Sequence, residues 1–245
     1  AGSRGATPVA STLQQVARDF GSWRERLLRF PTLLWLGTSD TALLRLANFG
    51  LACSLAGILG LFGCSPLWML GVWAVLLSFD DAVGLKYPWD SLILEATSLA
   101  VFMPPLLPVQ LGPHVGSVPH PWLAWSIRLL LFRLMLGFGK LKFVGSKIFG
   151  TDACYIHSFL VSLPLPTPLG WWAHCAVPFP FWIVALVGMF VVEIVVPFFF
   201  FATGSWRVGA GIAVFALQLG IQATGNFGHF NILTSVLCLS LLDAN

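Results

Sequence analysis

FPFWIVALVGMFVVEIVVPFFFF, residues 179–201, carries a single charge, Glu193, in 23 positions. A helix of about 20 predominantly apolar residues crosses the hydrocarbon core of a bilayer, so this stretch reads as a membrane span that includes Pro197. An acid in that setting costs on the order of a few kcal/mol; it is usually turned inward, paired and tied to the protein's particular job. Four further ionisable residues stand within or at the edges of apolar stretches: Asp90, Glu95, Arg128 and Arg133. The five together describe a polytopic membrane protein with a polar interior.

Composition agrees. Of 245 residues 57% are hydrophobic and 9% charged, where soluble domains carry about a quarter charged residues. The mean hydropathy is +0.85. Eleven Trp and 21 Phe against two Tyr suit a lipid-facing surface with indole rings at the interfaces. A net charge of +3 without a basic, aromatic-interleaved stripe gives no footprint for nucleic acid. The five cysteines (Cys53, Cys64, Cys154, Cys175, Cys238) are widely spaced and odd in number, which fits neither a disulfide framework nor a zinc site.

Working outward, further spans are expected at Leu43–Phe62, Leu67–Phe79, Ser91–Val109 (interrupted at Pro104-Pro105), Trp122–Phe138, Val208–Ala223 and Phe227–Leu242. The fold class is therefore all-α, a polytopic bundle of six or seven transmembrane helices. Residues 13–30 mix apolar and basic positions at helical spacing and read as an amphipathic helix on the membrane surface, with Arg24, Arg26 and Arg29 near lipid phosphates. The organisation is an amino-terminal tail and surface helix over residues 1–40, then a membrane domain over 41–245 with a proline-rich connection at 139–178. Arg18, Arg24, Arg26 and Arg29 precede the first span, and Lys140, Lys142 and Lys147 follow the span ending near Phe138. The positive-inside rule places both regions on the cytosolic, matrix or stromal side. Lys140 and Lys142, at a span's end, are expected to snorkel to the interface. Residues 1–18 hold arginine, serine and threonine but no acid, as an organelle transit peptide would; an ordinary flexible tail has the same composition.

Four stretches are distinctive: Tyr87-Pro88-Trp89-Asp90-Ser91-Leu92-Ile93-Leu94-Glu95; Phe132-Arg133-Leu134-Met135-Leu136-Gly137-Phe138-Gly139-Lys140-Leu141-Lys142; a segment from Tyr155 and His157 through Pro164, Pro166 and Pro168 to Trp171 and His174; and Thr224-Gly225-Asn226-Phe227-Gly228-His229-Phe230-Asn231-Ile232-Leu233-Thr234. Asp90 can cap a helix at its start, whereas Glu95 lies more than a turn inside an apolar run. In this order the stretches resemble the membrane half of the lipase maturation factor family, whose members carry WDxLLLE, FRLMF…G…K, YHYETQPLPTPLAWY-like and TGNYGFFNLLT segments. The resemblance covers about residues 30–243; a more distant one, to the membrane half of vitamin K-dependent carboxylases, accompanies it. It implies a helical membrane fold and the handling of client lipases, a task the family associates with a soluble domain beyond these residues. Ser158–Leu163 departs from the family stretch by lacking its acid and Gln.

For Asp90, Glu95, Arg128, Arg133 and Glu193 the plain reading is a buried ion-pair network that fixes helix register. It outweighs a transport pathway, because no broken-helix repeat accompanies the charges. None of His114, His120, His157, His174 and His229 stands in a metal-ligating spacing, so no metal is expected. No catalytic set is visible either, and the chain is expected not to be an enzyme. No cofactor is required, although a bound lipid or pigment would fit. The expected partners are membrane lipids and other membrane proteins or a client protein, with no nucleic acid. Contact candidates are Tyr155, His157, Pro164, Pro166, Pro168, Trp171, His174, Asn226, His229 and Asn231. Two functions follow: a non-catalytic assembly or maturation factor in the endoplasmic reticulum, as the resemblance implies, or an accessory subunit of a respiratory or photosynthetic complex in an organelle membrane, as the arginine- and serine-rich start suggests.

Overall fold

The computed structural model describes residues 2–59, 61, 66–83, 87–103, 121–145, 154–163, 166–225 and 227–242. Among them every regular element is helical. The chain divides into two compact units, Ala1–Leu123 and Ala124–Asn245.

The first unit opens with α1 (Val9–Asp19) and α2 (Trp23–Arg29). One helix was expected over 13–30; the structure has two, and local chemistry explains the break. Gly21 and Ser22 interrupt the run, and the Ser22 hydroxyl accepts from Glu25 N–H at 3.1 Å while Glu25 accepts from Ser22 N–H at 3.4 Å, a capping box that starts a new helix. Arg26 then folds back, donating to the carbonyls of Phe20 (2.8 Å) and Ala17 (2.9 Å), and so satisfies the open end of α1. Its guanidinium is committed within the protein, unlike the phosphate contact expected for it. Val9 and Leu13 of α1 are buried with Leu34, Leu43 and Ala82, against Phe30, Trp35, Leu46 and Phe79.

α3 (Asp40–Ile58) and α4 (Pro66–Val83) form the main antiparallel pair, and α5 (Pro88–Ala100) packs on α4. The α3–α4 seam is built by omission of side chains. A Cβ on Gly50 would lie 2.9 Å from Val75 Cγ1, one on Gly57 2.7 Å from Met69 Cε, and one on Gly71 2.9 Å from Cys53 Sγ. Small residues let backbones approach where lipid offers no hydrophobic drive for helix association. Gly60 and Gly63 lie outside the described residues. Ser78 of α4 ties the seam to the segment before α3: its hydroxyl accepts from Leu33 N–H at 2.9 Å, and its carbonyl accepts from Thr32 Oγ1 at 3.3 Å.

α6 (Pro121–Gly145) leads into the second unit, followed by α7 (Tyr155–Ser162), α8 (Pro168–Ala176), α9 (Phe179–Phe190), α10 (Ser205–Thr224) and α11 (Phe230–Leu237). Prolines open α4, α5, α6 and α8; the first helical turn lacks an N–H partner anyway, so proline costs nothing there. The proline run before Trp171 ends in a helix start, since Pro168 is the first residue of α8. α9 continues as a π-turn over Val191–Val195 and a 3₁₀ segment over Val196–Phe201. Pro197 has no N–H to give the carbonyl of Glu193 four residues back, so the α-ladder must reorganise at that residue.

Among the described residues four helical stretches are long and apolar enough to cross a membrane: Asp40–Ile58, Pro121–Phe143, Phe179–Phe201 and Ser205–Thr224. Phe230–Leu241 is apolar but shorter. Six or seven were expected; α5 has 13 helical residues, and the rest of the span expected at Ser91–Val109 lies largely outside the described residues.

Candidate functional site

One stripe of α6 organises the second unit. Met135, Phe138, Gly139 and Lys142 recur at helical spacing, and together they meet α10, α11 and the π-turn that follows α9. The Met135 thioether accepts from Gln218 Nε2 of α10 at 3.8 Å. The Phe138 ring stands edge-on to Phe230 of α11, centroids 5.3 Å apart. Gly139 lies against the π-turn so closely that a Cβ would be 2.7 Å from Ile194 Cγ1 and 3.0 Å from Glu193 Cβ. Lys142 forms an ion pair with Glu193, and its Nζ also approaches Met189 Sδ at 3.8 Å.

The pair is interior: the Lys142 side chain is 21% exposed and Glu193 3%. Lys142 was expected to snorkel to the interface. Instead it reaches across Gly139, because the missing side chain there brings Glu193 within reach and an unpaired buried carboxylate would be costly. Tyr155, the first residue of α7, is close enough to feel this charge. Burial first, and Glu193 second, raise its phenol above the ordinary value, so it remains a neutral hydroxyl at physiological pH.

The same unit buries further polar groups. Gln218 is 4% exposed and Asn231 2%. Asn231 Nδ2 donates to Gln222 Oε1 at 3.2 Å, one turn along α10 from Gln218. Arg207, at the start of α10, is buried as well.

The expected charges are placed unequally. Arg128 is buried on α6, its Nε donating to the Ser240 carbonyl at 3.1 Å and its guanidinium 6.0 Å from the Trp125 ring centre. Asp90 caps α5, accepting from Tyr87 N–H at 3.1 Å. Glu95 is half-buried on α5, and Arg133, expected inside, has an exposed side chain. Sequence reading missed Lys142, Arg207 and Gln218 as interior groups. A lysine beyond an apolar run and a lone glutamine within one leave no periodic signal, but Gly139, three residues before Lys142 on the same face, was the available hint.

The two segments singled out as contact candidates come together at one end of this unit. α7 and α8 form a hairpin clasped by two histidines. His157 Nε2–H donates to the His174 carbonyl at 3.1 Å, His174 Nδ1–H donates to the His157 carbonyl at 2.9 Å, and the rings stack 3.8 Å apart. Each ring thus commits one nitrogen to bracing the hairpin, and among the described residues no group of three or more His, Cys, Asp or Glu could hold a metal. The hairpin sits on the end of α10. Thr167 caps α8 by accepting from Gly170 N–H and donates to the Ala223 carbonyl, both at 3.0 Å. A Cβ on Gly170 would fall 2.3 Å from the Thr224 carbonyl oxygen, and Leu163 and Phe159 cover Gly225 and Phe227. Outward the hairpin presents Trp171 (62% exposed), Trp172, Leu169 and Pro166, with Phe179 and Phe181 beginning the next helix. Pro168 and His229 are exposed and Asn231 is buried, whereas Pro164 and Asn226 lie outside the described residues.

The sequence profile of the lipase maturation factor transmembrane domain matches residues 1–245. Lipase maturation factor 2 of Homo sapiens is 36% identical over 262 residues, covering 99% of this chain and 36% of that protein. Lipase maturation factor 1 of Bos taurus is 30% identical over 254 residues, covering 99% of this chain and 44% of its own length. Lipase maturation factor 1 of Homo sapiens is 28% identical over 255 residues, with 99% and 43% covered. The chain therefore spans less than half of each of these relatives. The match includes the arginine- and serine-rich start, which the motif resemblance had left out. No solved structure matches.

Proposed function

The chain belongs to the lipase maturation factor family, as its transmembrane domain, and from that premise we propose that it is the membrane module of a non-catalytic maturation factor that holds a client protein at the endoplasmic reticulum membrane. It is an integral membrane protein. The observation that carries the reading is the union of the Tyr155–His174 and Thr224–Thr234 segments. Two stretches separated by the most apolar span of the chain fold into one platform, braced by hydrogen bonds within and aromatic without. A chaperone surface needs this combination, because exposed Trp and Phe engage apolar client surface while a braced backbone keeps the ordering cost low.

A secreted client requires the platform to face the export side of the membrane. The charge pattern argued for the opposite side through Lys140, Lys142 and Lys147. Lys142 is spent on Glu193, which weakens that argument. Exposed Cys175 on α8 reports the side directly. In sealed microsomes an impermeant maleimide should label the Cys175 peptide only after detergent is added; labelling without detergent would remove a luminal client contact. The decisive test changes Trp171 and Trp172 to alanine in the full-length protein, expressed in cells lacking the factor. Secreted lipase activity should fall severalfold with lipase transcript and factor abundance unchanged, and normal secretion would sink the proposal. Nothing observed favours the accessory-subunit reading, and a stable stoichiometric particle of hundreds of kilodaltons on gentle purification would restore it.

A further inference from the structure

Residues 23–36 turn apolar side chains outward although the backbone beneath them is firmly held. In α2, Trp23 is 53% exposed and Leu28 72%; in the 3₁₀ turn Leu33–Leu36 that follows, Leu36 is 89% exposed. Arg26 fastens α2 to α1 through the carbonyls of Phe20 and Ala17. In the turn, Leu34 is buried, Leu33 N–H donates to Ser78 of α4 at 2.9 Å, and the Trp35 indole N–H donates to the Phe30 carbonyl at 3.0 Å. Trp23 stands edge-on to Trp35, ring centres 5.3 Å apart, which joins helix and turn. Turning the exposed side chains inward would break these contacts. α1 does not share this surface, since its Val9 and Leu13 face the core. The amphipathic pattern read over 13–30 therefore resolves into one helix packed inward and a second one facing out.

Connectivity says what lies against the outward face. The membrane span Asp40–Ile58 begins four residues after Leu36. An extended chain advances about 3.3–3.6 Å per residue, so Leu36 lies within about 14 Å of that start. This is the level of the headgroups, which form a layer about 5–8 Å thick on each side of the hydrocarbon core.

Charge says which lipid. At about 100° per residue, Arg24 falls between Leu27 and Leu28 around α2, and Arg29 follows Leu28. Both arginines are exposed, and among the described residues neither has a hydrogen-bond or ion-pair partner. The acid of α2, Glu25, is turned to the Ser22 N–H. An arginine beside leucines lays its stem along apolar surface and carries its charge to the phosphates. The positive-inside rule puts this end of the chain on the side whose leaflet carries anionic lipid.

We propose that α2 and the turn Leu33–Leu36 form an in-plane foot on the bilayer surface. Trp23, Leu28 and Leu36 enter the boundary between headgroups and acyl chains, and Arg24 and Arg29 bind the phosphates of anionic phospholipids. The foot does not depend on the client reading above.

The probes are phosphatidylserine and phosphatidylcholine, each with a carbene-generating group at the start of an acyl chain, placed in turn in phosphatidylcholine vesicles that hold the purified protein. Phosphatidylserine should label residues 23–36 about tenfold more than phosphatidylcholine does, since each basic side chain at an anionic surface contributes about fivefold at most. Arg24→Gln with Arg29→Gln should bring the two lipids level, while the phosphatidylcholine labelling persists through Trp23, Leu28 and Leu36. Equal labelling of the unaltered protein by the two lipids would overturn the anionic-lipid assignment. A second measurement also needs no variant. Hydroxyl radicals generated in the water should leave Trp23 and Leu36 largely unoxidised in intact vesicles. Rapid oxidation of both would place the face in water and overturn the foot. Protection from oxidation without lipid labelling would mean a protein occupant, such as a second copy of the chain, and would overturn it equally. A loss of lipase secretion in the Trp171 and Trp172 variant with lipid labelling of residues 23–36 intact would separate the two proposals.

Discussion

The α3–α4 seam of the first unit and the interior of the second are joined by different means. In the first, the seam between α3 and α4 is made by leaving side chains out, at Gly50, Gly57 and Gly71, and its buried Ser78 and Thr32 are used on backbone groups. In the second, a lysine–glutamate pair, two arginines and two amides sit inside a cage of apolar spans. Close packing of small residues is the economical way to join helices in lipid. A charged interior is not, since a buried pair contributes little net stability over well-packed apolar groups. The difference identifies the first unit as framework and the second as the place where something beyond cohesion has been retained.

The sharpest way to break that comparison is to remove half of the pair. Lys142→Met strands Glu193 and should cost about 3–5 kcal/mol, seen as a large fall in the detergent melting temperature. Adding Glu193→Leu should recover most of it. If the single change melts no earlier than the double, the pair is not an interior charge system. Next come the close approaches. Gly170→Ala drives a methyl into the fixed Thr224 carbonyl and Gly50→Ala into Val75, each costing about 1–3 kcal/mol by overpacking. The former should be worse, because a carbonyl at 2.3 Å cannot rotate away as a side-chain methyl at 2.9 Å can. Equal melting temperatures would mean that the hairpin is more loosely seated than the α3–α4 seam. Ser78→Ala leaves the Leu33 N–H without its acceptor and should cost about 1–3 kcal/mol, tending towards the low end because one neutral bond is lost. Smallest is Gly209→Ala, whose Cβ meets open space; it should leave the melting temperature unchanged or raise it, by up to about 1 kcal/mol of helix propensity.

What the sequence disclosed followed the same division. Long apolar runs announced the spans at 40–58, 121–143, 179–201 and 205–224, since length and hydropathy are properties of a segment alone. Glu193 was legible as an interior acid for the same reason. Its partner was not. Lys142 and Arg133 look alike as cations on one apolar helix, and only the approach allowed by Gly139 separates the one that turns in from the one that stays exposed. Likewise the four motifs were readable in order along the chain, but that two of them form one platform depends on Thr167 reaching a carbonyl 56 residues away. Local signals failed once where they were strong: the helix expected over 13–30 was divided by a capping box at Ser22 and Glu25 that its periodicity concealed.

The span that holds Glu193 is also the most apolar of the four, and this bears on how the protein is made. A helix entering a bilayer during synthesis is judged segment by segment, and a central acid counts against it by about 2.5–3.5 kcal/mol on insertion scales. The phenylalanines and valines of residues 179–201 offset that penalty within the segment, so it can enter without assistance. Lys142 is synthesised earlier and is already in place when the acid arrives. Pairing can therefore follow insertion, and a change at position 193 would alter the finished interior while leaving the order of assembly intact.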